Sequence, residues 1–86
     1  MEYNINGEVD RYYNLDEILG LDIPSHIATE IKEKFNKKVL CDCNGNCKIG
    51  KLCGLEVNHK LSMLYYIIEI DGDKIFIPTW KNLTKV

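Results

Sequence analysis

The sequence contains no long apolar run. Its longest unbroken stretch of hydrophobic residues, Met63 to Ile68, has six members, whereas a transmembrane helix needs about 18 or more. Met1 is followed by acidic and polar residues instead of a basic segment and then an apolar one, so we expect no secretory leader. Both absences favour a cytoplasmic protein in a reducing compartment, where stable disulfides are rare.

Sequence motifs of the common enzyme classes are also absent. The chain has no nucleophile elbow, no phosphate-binding glycine loop and no HExxH motif. Its net charge of −2 lacks the strong basic excess that is typical of a dedicated nucleic-acid-binding domain. We therefore expect a protein that is not an enzyme and for which nucleic acid is not the favoured partner.

Cysteine is confined to one short segment. The four cysteines follow the spacing C-x-C-x3-C-x5-C and are Cys41, Cys43, Cys47 and Cys53. This pattern predicts a metal-binding knuckle over residues 41–54, in which four thiolates hold one tetrahedral Zn²⁺. Asn44-Gly45 would form the first reversal of the chain and Ile49-Gly50-Lys51 the second. A structural ion would add its binding free energy to the small core of an 86-residue domain.

Other interpretations of the cysteines stay open. His59 is the reserve ligand if Cys41 or Cys53 turns away from the metal. An iron–sulfur cluster would use the same four thiolates, although neither common ferredoxin spacing occurs here. Two disulfides would need an oxidising compartment, and buried cysteines are often ordinary small apolar residues. We expect structural Zn²⁺ as the cofactor, with an iron–sulfur cluster as the alternative.

Hydrophobic periodicity predicts one small α+β domain over residues 1–86. The main helix is expected over residues 24–37, capped by Asp22 or Ser25, with an apolar stripe that ends at Phe35. Before it, Asn14 is placed to cap a short helical turn, and residues 2–12 could form a hairpin around Asn6-Gly7.

The C-terminal third predicts a β-hairpin over residues 61–80. Asp71-Gly72 is a type I′ turn signal, which pairs Ile70 with Asp73 and places Glu69 opposite Lys74. The first strand is apolar on both faces, so we expect an interior strand of a small antiparallel sheet, covered by the main helix on one side. Trp80 follows the hairpin, either as a lid on the core or as an anchor for a partner.

The distribution of charge suggests how such a domain acts. Residues 32–60 carry a net charge of +4, which either balances the thiolates or forms a patch for phosphate groups around Lys48, Lys51 and Lys60. We expect a zinc-stabilised binding or regulatory module whose partner is a protein, and the small size suits a phage- or plasmid-type inhibitor. A nucleic-acid or nucleotide binder is the first alternative, and an iron–sulfur or thiol redox protein is the second.

Overall fold

The computed structural model describes residues 8–43, 45–81 and 83–86, with Cys43 described by its backbone alone. The elements in chain order are β1 (Val9–Tyr12), α1 (Leu15–Leu19), α2 (Ser25–Lys34), β2 (Lys38–Cys43), β3 (Asn46–Asn58), β4 (Met63–Ile70), β5 (Asp73–Pro78) and β6 (Thr84–Lys85). Two helices beside an antiparallel sheet agree with the expected α+β class. The first arm of the hairpin predicted over residues 2–12 lies outside the described residues. None of the described helices has the length and apolarity to cross a membrane.

The sheet is built around β3, its longest strand. β4 pairs with one edge of β3 from Lys51 to Asn58. The opposite edge of β3 is shared, because β2 pairs with its first half and β1 with its second half. β5 borders β4, and β6 borders β2. The resulting order is β5-β4-β3-β2-β6, with β1 beside β3.

One face of the sheet carries the hydrophobic core, and we call it the helix face. Side chains alternate between the two faces of a strand, and the register places one buried set on this face: Val39, Cys41, Leu52, Leu55, Tyr66, Ile68 and Ile77. Ile18 of α1 packs into the same cluster, as do Ile27 and Ile31 of α2. Burying each large apolar side chain contributes roughly 1.5–3 kcal/mol. We call the opposite side of the sheet the open face.

The main helix is shorter than the sequence predicts. It begins at Ser25 with Pro24 at the cap position and no side-chain cap bond, so neither Asp22 nor Ser25 caps it. It ends at Lys34, because Phe35 adopts an extended conformation and bridges Leu52 of β3. The next residue, Asn36, has φ +63° and donates its backbone N–H to the Leu52 carbonyl at 2.7 Å. Pairing with the sheet therefore replaces the last helical turn expected from the periodicity.

The shorter helix α1 follows the expected local chemistry. The Asn14 side chain accepts a hydrogen bond from the Glu17 backbone N–H at 3.1 Å, which is the N-cap interaction that the sequence predicts. α1 ends at Leu19 and places Ile18 in the core with no exposed surface. The Asn14 cap and the burial of Ile18 both favour a helix over these residues.

The hairpin of β4 and β5 has the register predicted from its turn. Ile70 pairs with Asp73, and Glu69 pairs with Lys74. Asp71 and Gly72 have φ values of +51° and +86°, as a type I′ turn requires at both central positions. β4 lies between β3 and β5, so the expectation of an interior strand is confirmed.

The described part of residues 41–54 belongs to a β-hairpin, and Asn44 of the first predicted reversal lies outside the described residues. β2 and β3 pair from Lys38–Lys51 to Cys43–Asn46, and Gly45 in the connection has φ +86°. The second reversal predicted at Ile49-Gly50-Lys51 is wrong, because β3 continues through it. Gly50 serves a different purpose there: a Cβ at this position would lie 2.5 Å from Cγ2 of Ile68. The glycine permits close packing against β4, and it makes no turn.

Candidate functional site

The structure places Cys41 in the hydrophobic core. Its side chain is 1% exposed and belongs to the buried cluster on the helix face. The thiol donates to the Lys48 carbonyl at 3.4 Å across the β2–β3 hairpin. These contacts are those of a small buried apolar residue.

The other described cysteines lie elsewhere on the hairpin. Cys47 pairs with Asp42, one position out of step with the Cys41–Lys48 pair, so its exposed side chain is on the open face. Cys53 lies at the bulge in β3, where its thiol donates to the Ile67 carbonyl at 3.4 Å. Burial, followed by the Glu69 carboxylate, raises the pKa of Cys53, so this group is held as a thiol.

These positions do not bring the predicted ligands together. Cys47 and Cys53 are six positions apart in one extended strand, which separates them by roughly 20 Å. His59 lies beyond the end of β3, where its Nε2 is 2.8 Å from Oδ2 of Asp10. Within the described part of the chain, no group of three or more His, Cys, Asp or Glu residues could hold a metal ion. The four-cysteine zinc site, which also needs the Cys43 side chain, stays a prediction.

The structure also bears on two other interpretations of this segment, a disulfide and a phosphate-binding patch of lysines. No disulfide joins any two of Cys41, Cys47 and Cys53. The three lysines proposed as a phosphate patch are also dispersed. Lys48 is on the side of Cys41 and Lys51 is on the open face, whereas Lys60 lies 3.8 Å from a Glu8 carboxylate oxygen. They do not form one patch.

Trp80 has a different environment from the lid that the sequence allows. It is 71% exposed, so it does not cover the core. The chain leaves β5 in a turn in which Thr79 donates to the Leu64 carbonyl and Lys81 donates to the Pro78 carbonyl, each at 3.0 Å. Leu83, which is 5% exposed, supplies the buried side chain of the tail. The indole is therefore left in solvent.

A hollow of about 300 Å³ lies beside Trp80, between the start of α2 and the start of β4. We call it the Trp80 hollow. Its lining is mostly apolar and consists of Pro24, His26, Ile27, Ser62, Met63, Leu64, Thr79 and Trp80. Pockets that combine apolar walls with a few polar groups are the usual form of a binding site.

A second hollow of about 470 Å³ adjoins the first and shares His26 and Thr79 with it. We call it the Tyr66 hollow; Thr29, Glu30, Tyr66 and Lys81 complete its lining. Burial, and then the Glu30 carboxylate, raises the pKa of Tyr66 to about 12, so its hydroxyl stays protonated at neutral pH. Glu30 itself accepts hydrogen bonds from Lys34. The lining thus provides a protonated phenol hydroxyl beside the Glu30 carboxylate.

The sequence did not reveal these hollows. His26, Thr29 and Glu30 are spaced i, i+3 and i+4 along α2, so they form a stripe beside the buried one. That spacing was the available signal. The sequence does not show which strand faces this stripe, and the hollows form only where α2 meets the start of β4 and the turn after β5.

Comparisons of this chain with protein-family models, with curated proteins and with solved structures give no match.

Proposed function

We propose that this chain is a small binding module that acts by contacting another protein, with Trp80 as the anchor of the contact. The observation that carries the proposal is the 71% exposure of the only tryptophan beside a hollow with apolar walls. Tryptophan is enriched among the residues that dominate binding energy at protein interfaces. An indole left in solvent contributes little to folding, so binding is the function that its position supports.

The residues around Trp80 suit a protein contact. Pro24, Ile27 and Leu64 offer apolar walls for one inserted side chain of the partner. The adjoining Tyr66 hollow contributes Glu30 and Lys81, which add hydrogen-bonding groups beside that apolar centre. An apolar centre with a polar rim is the usual anatomy of a protein interface. A regulator or inhibitor of the phage or plasmid type would need no more than such a surface.

The zinc ion expected from the sequence is a separate proposal. It is supported by the confinement of every cysteine to residues 41–53. A site made from Cys41, Cys43, Cys47 and Cys53 would require the first half of β3 to leave the sheet, because Cys47 and Cys53 now lie far apart along one strand. Binding through Trp80 does not depend on this ion.

The proposal is tested by selecting a phage-displayed library of random peptides on the immobilised protein. Trp80→Ala should weaken at least one class of enriched peptides by about tenfold or more, as truncation of an interface hot spot does. Val86→Ala is the matched control, because Val86 is 67% exposed and outside the lining of both hollows. A selection in which every enriched peptide binds Trp80→Ala as well as wild type, or a failure to enrich any peptide, would refute the anchor role.

A further inference from the structure

A row of charged side chains crosses the open face of the sheet. Lys38 of β2 pairs with Lys51 of β3, Lys51 pairs with Glu69 of β4, and Glu69 pairs with Lys74 of β5. Residues paired directly across neighbouring strands share a face, so these four side chains are adjacent. We call them the lysine row. Its three lysines are exposed, and Glu69 is partly buried.

The row has an unbalanced positive charge. Lys38 and Lys51 face each other directly, and like charges at such positions destabilise a sheet. Among the described residues neither of these two lysines forms an ion pair. Glu69 offsets one of the three positive charges. The row therefore presents a net charge of about +2 that no ion pair among the described residues neutralises.

Apolar side chains flank the lysine row on both sides. Ile49, two residues from Lys51 toward the hairpin turn and on the same face, is 52% exposed. On the other side, Tyr13 is 48% exposed and Phe76 is 39% exposed, above the fully buried Ile67. These are three of the seven large hydrophobic residues that the described chain exposes. An apolar surface interrupted by a basic row marks an interaction site more strongly than either feature alone.

We infer that the open face binds an acidic segment of a protein, with its carboxylates on Lys38, Lys51 and Lys74 and its apolar side chains on Tyr13, Phe76 and Ile49. Charge complementarity is what identifies this occupant. The surface is on the side of the sheet opposite the helices and the core. It is therefore a second binding surface, distinct from the Trp80 hollow.

The same observations disfavour the other occupants. Single-stranded nucleic acid needs free aromatic faces on which bases stack, but the Arg11 guanidinium stands 4.8 Å over Phe76 and the Lys74 ammonium 5.7 Å over Tyr13. The net charge of −2 also opposes a polyanion. A second copy placed face to face would bring one lysine row against the other. A protein segment with a few carboxylates needs no base-stacking surface, and the net charge of the chain repels it less than a polyanion.

The test uses the same random-peptide library on wild-type protein, Lys51→Glu/Lys74→Glu, Lys32→Glu/Lys85→Glu and Trp80→Ala. Lys32 and Lys85 are exposed and outside the row, so this double variant is matched in charge. We expect a set of enriched peptides rich in Asp, Glu and apolar residues. These should bind the row variant about tenfold more weakly, lose affinity as salt rises, and bind the control variant and Trp80→Ala as they bind wild type. Circular dichroism melts check that each variant is folded.

Several outcomes would overturn the inference. Acidic peptides that bind both charge variants equally, or no acidic peptide at all, would exclude a site on the row even if Trp80-dependent peptides were enriched. If only Trp80-dependent peptides were enriched, the inference would fail and the proposed function would stand. Tighter binding of single-stranded oligothymidylate than of any peptide, lost in Lys51→Glu/Lys74→Glu, would assign the surface to nucleic acid. Self-association in sedimentation that disappears in the same variant would assign it to a second copy.

Discussion

Trp80 and Leu83 lie close together in the C-terminal tail and have opposite environments. Because the Trp80 indole is 71% exposed, Trp80→Ala should change the free energy of unfolding by only about 0.5 kcal/mol or less. Leu83 is 5% exposed and packs in the core, so Leu83→Ala should cost roughly 2–5 kcal/mol. Urea denaturation of the two variants measures both values. A larger loss for Trp80→Ala than for Leu83→Ala would show that the indole covers the core.

Substitutions of Cys41 and Cys47 distinguish cysteines that act as packing residues from cysteines that bind a metal. Cys41→Ser places a hydroxyl in an apolar cluster and should cost roughly 1–3 kcal/mol. Cys47 is exposed, so Cys47→Ser should change stability by about 0.5 kcal/mol or less.

A four-thiolate zinc site predicts a different pattern from the same two variants. Both would then lose comparable stability, because each removes one ligand. Elemental analysis of the native protein and a melt after chelation complete the comparison. One zinc per chain, with a lower melting temperature after chelation and a large loss in Cys47→Ser, would show that residues 41–54 are organised around the ion.

Tyr66 gives the stability a dependence on alkaline pH. Its pKa rises from the ordinary 10 to about 12 because burial disfavours the phenolate. The folded state therefore holds this proton more tightly than the unfolded state. The resulting stability is fully present below pH 10 and is lost as the pH rises toward about 12. Tyr66→Phe, compared with wild type by urea denaturation across this range, should show a shallower decline. Parallel declines would contradict the raised pKa.

The strand β3 depends on a glycine for its contact with β4. In Gly50→Ala the new Cβ would lie 2.5 Å from the Ile68 side chain and 2.8 Å from the Glu69 carbonyl. We expect a loss of roughly 1–3 kcal/mol from this overpacking. Gly45→Ala in the same hairpin meets no atom within 4 Å and is limited to the strain of φ +86°, roughly 1–2 kcal/mol. The two expected stability losses overlap, so a structural measurement must distinguish overpacking from backbone strain. In crystal structures or NMR shifts of β4, only Gly50→Ala should displace Ile68.

Elements defined by local chemistry could be predicted from the sequence. The register of β4 and β5 follows from a two-residue Asp-Gly loop, since this turn leaves one pairing of Ile70 with Asp73. The start of α1 follows from the Asn14 cap. In both cases the deciding contact lies within a few residues of the signal.

Elements defined by distant contacts could not be predicted. α2 ends at Lys34 because Phe35 pairs with Leu52, which lies in another strand. Gly50 and Gly54 resemble turn residues in the sequence, but each accommodates a close approach within the sheet: a Cβ on Gly54 would lie 2.4 Å from the Tyr12 carbonyl. Because a glycine in a turn and a glycine at a close contact within a strand look alike in the sequence, the pattern predicts a compact knuckle over residues 41–54. Trp80 is exposed and Leu83 is buried, and no local pattern in the sequence shows which of the two is buried.

At the scale of the whole molecule, the sheet separates two surfaces. The Trp80 hollow involves α2 on the helix face, whereas the lysine row lies on the open face. Substitutions at sites that share no partner usually act additively. The triple variant Trp80→Ala/Lys51→Glu/Lys74→Glu should therefore lose both classes of peptide, with each loss equal to that in the corresponding parent variant. Competition between the two classes for wild-type protein would contradict separate surfaces.

Fluorescence of the single tryptophan tests the role of Trp80 as the anchor most directly. The emission of the free protein should be that of an indole in water, because Trp80 is 71% exposed. Titration with a non-acidic peptide enriched on the wild-type protein should shift the emission to shorter wavelength, since the partner removes the indole from water. Saturable binding of that peptide with unchanged emission, and with equal affinity for Trp80→Ala, would show that the protein binds its partner elsewhere.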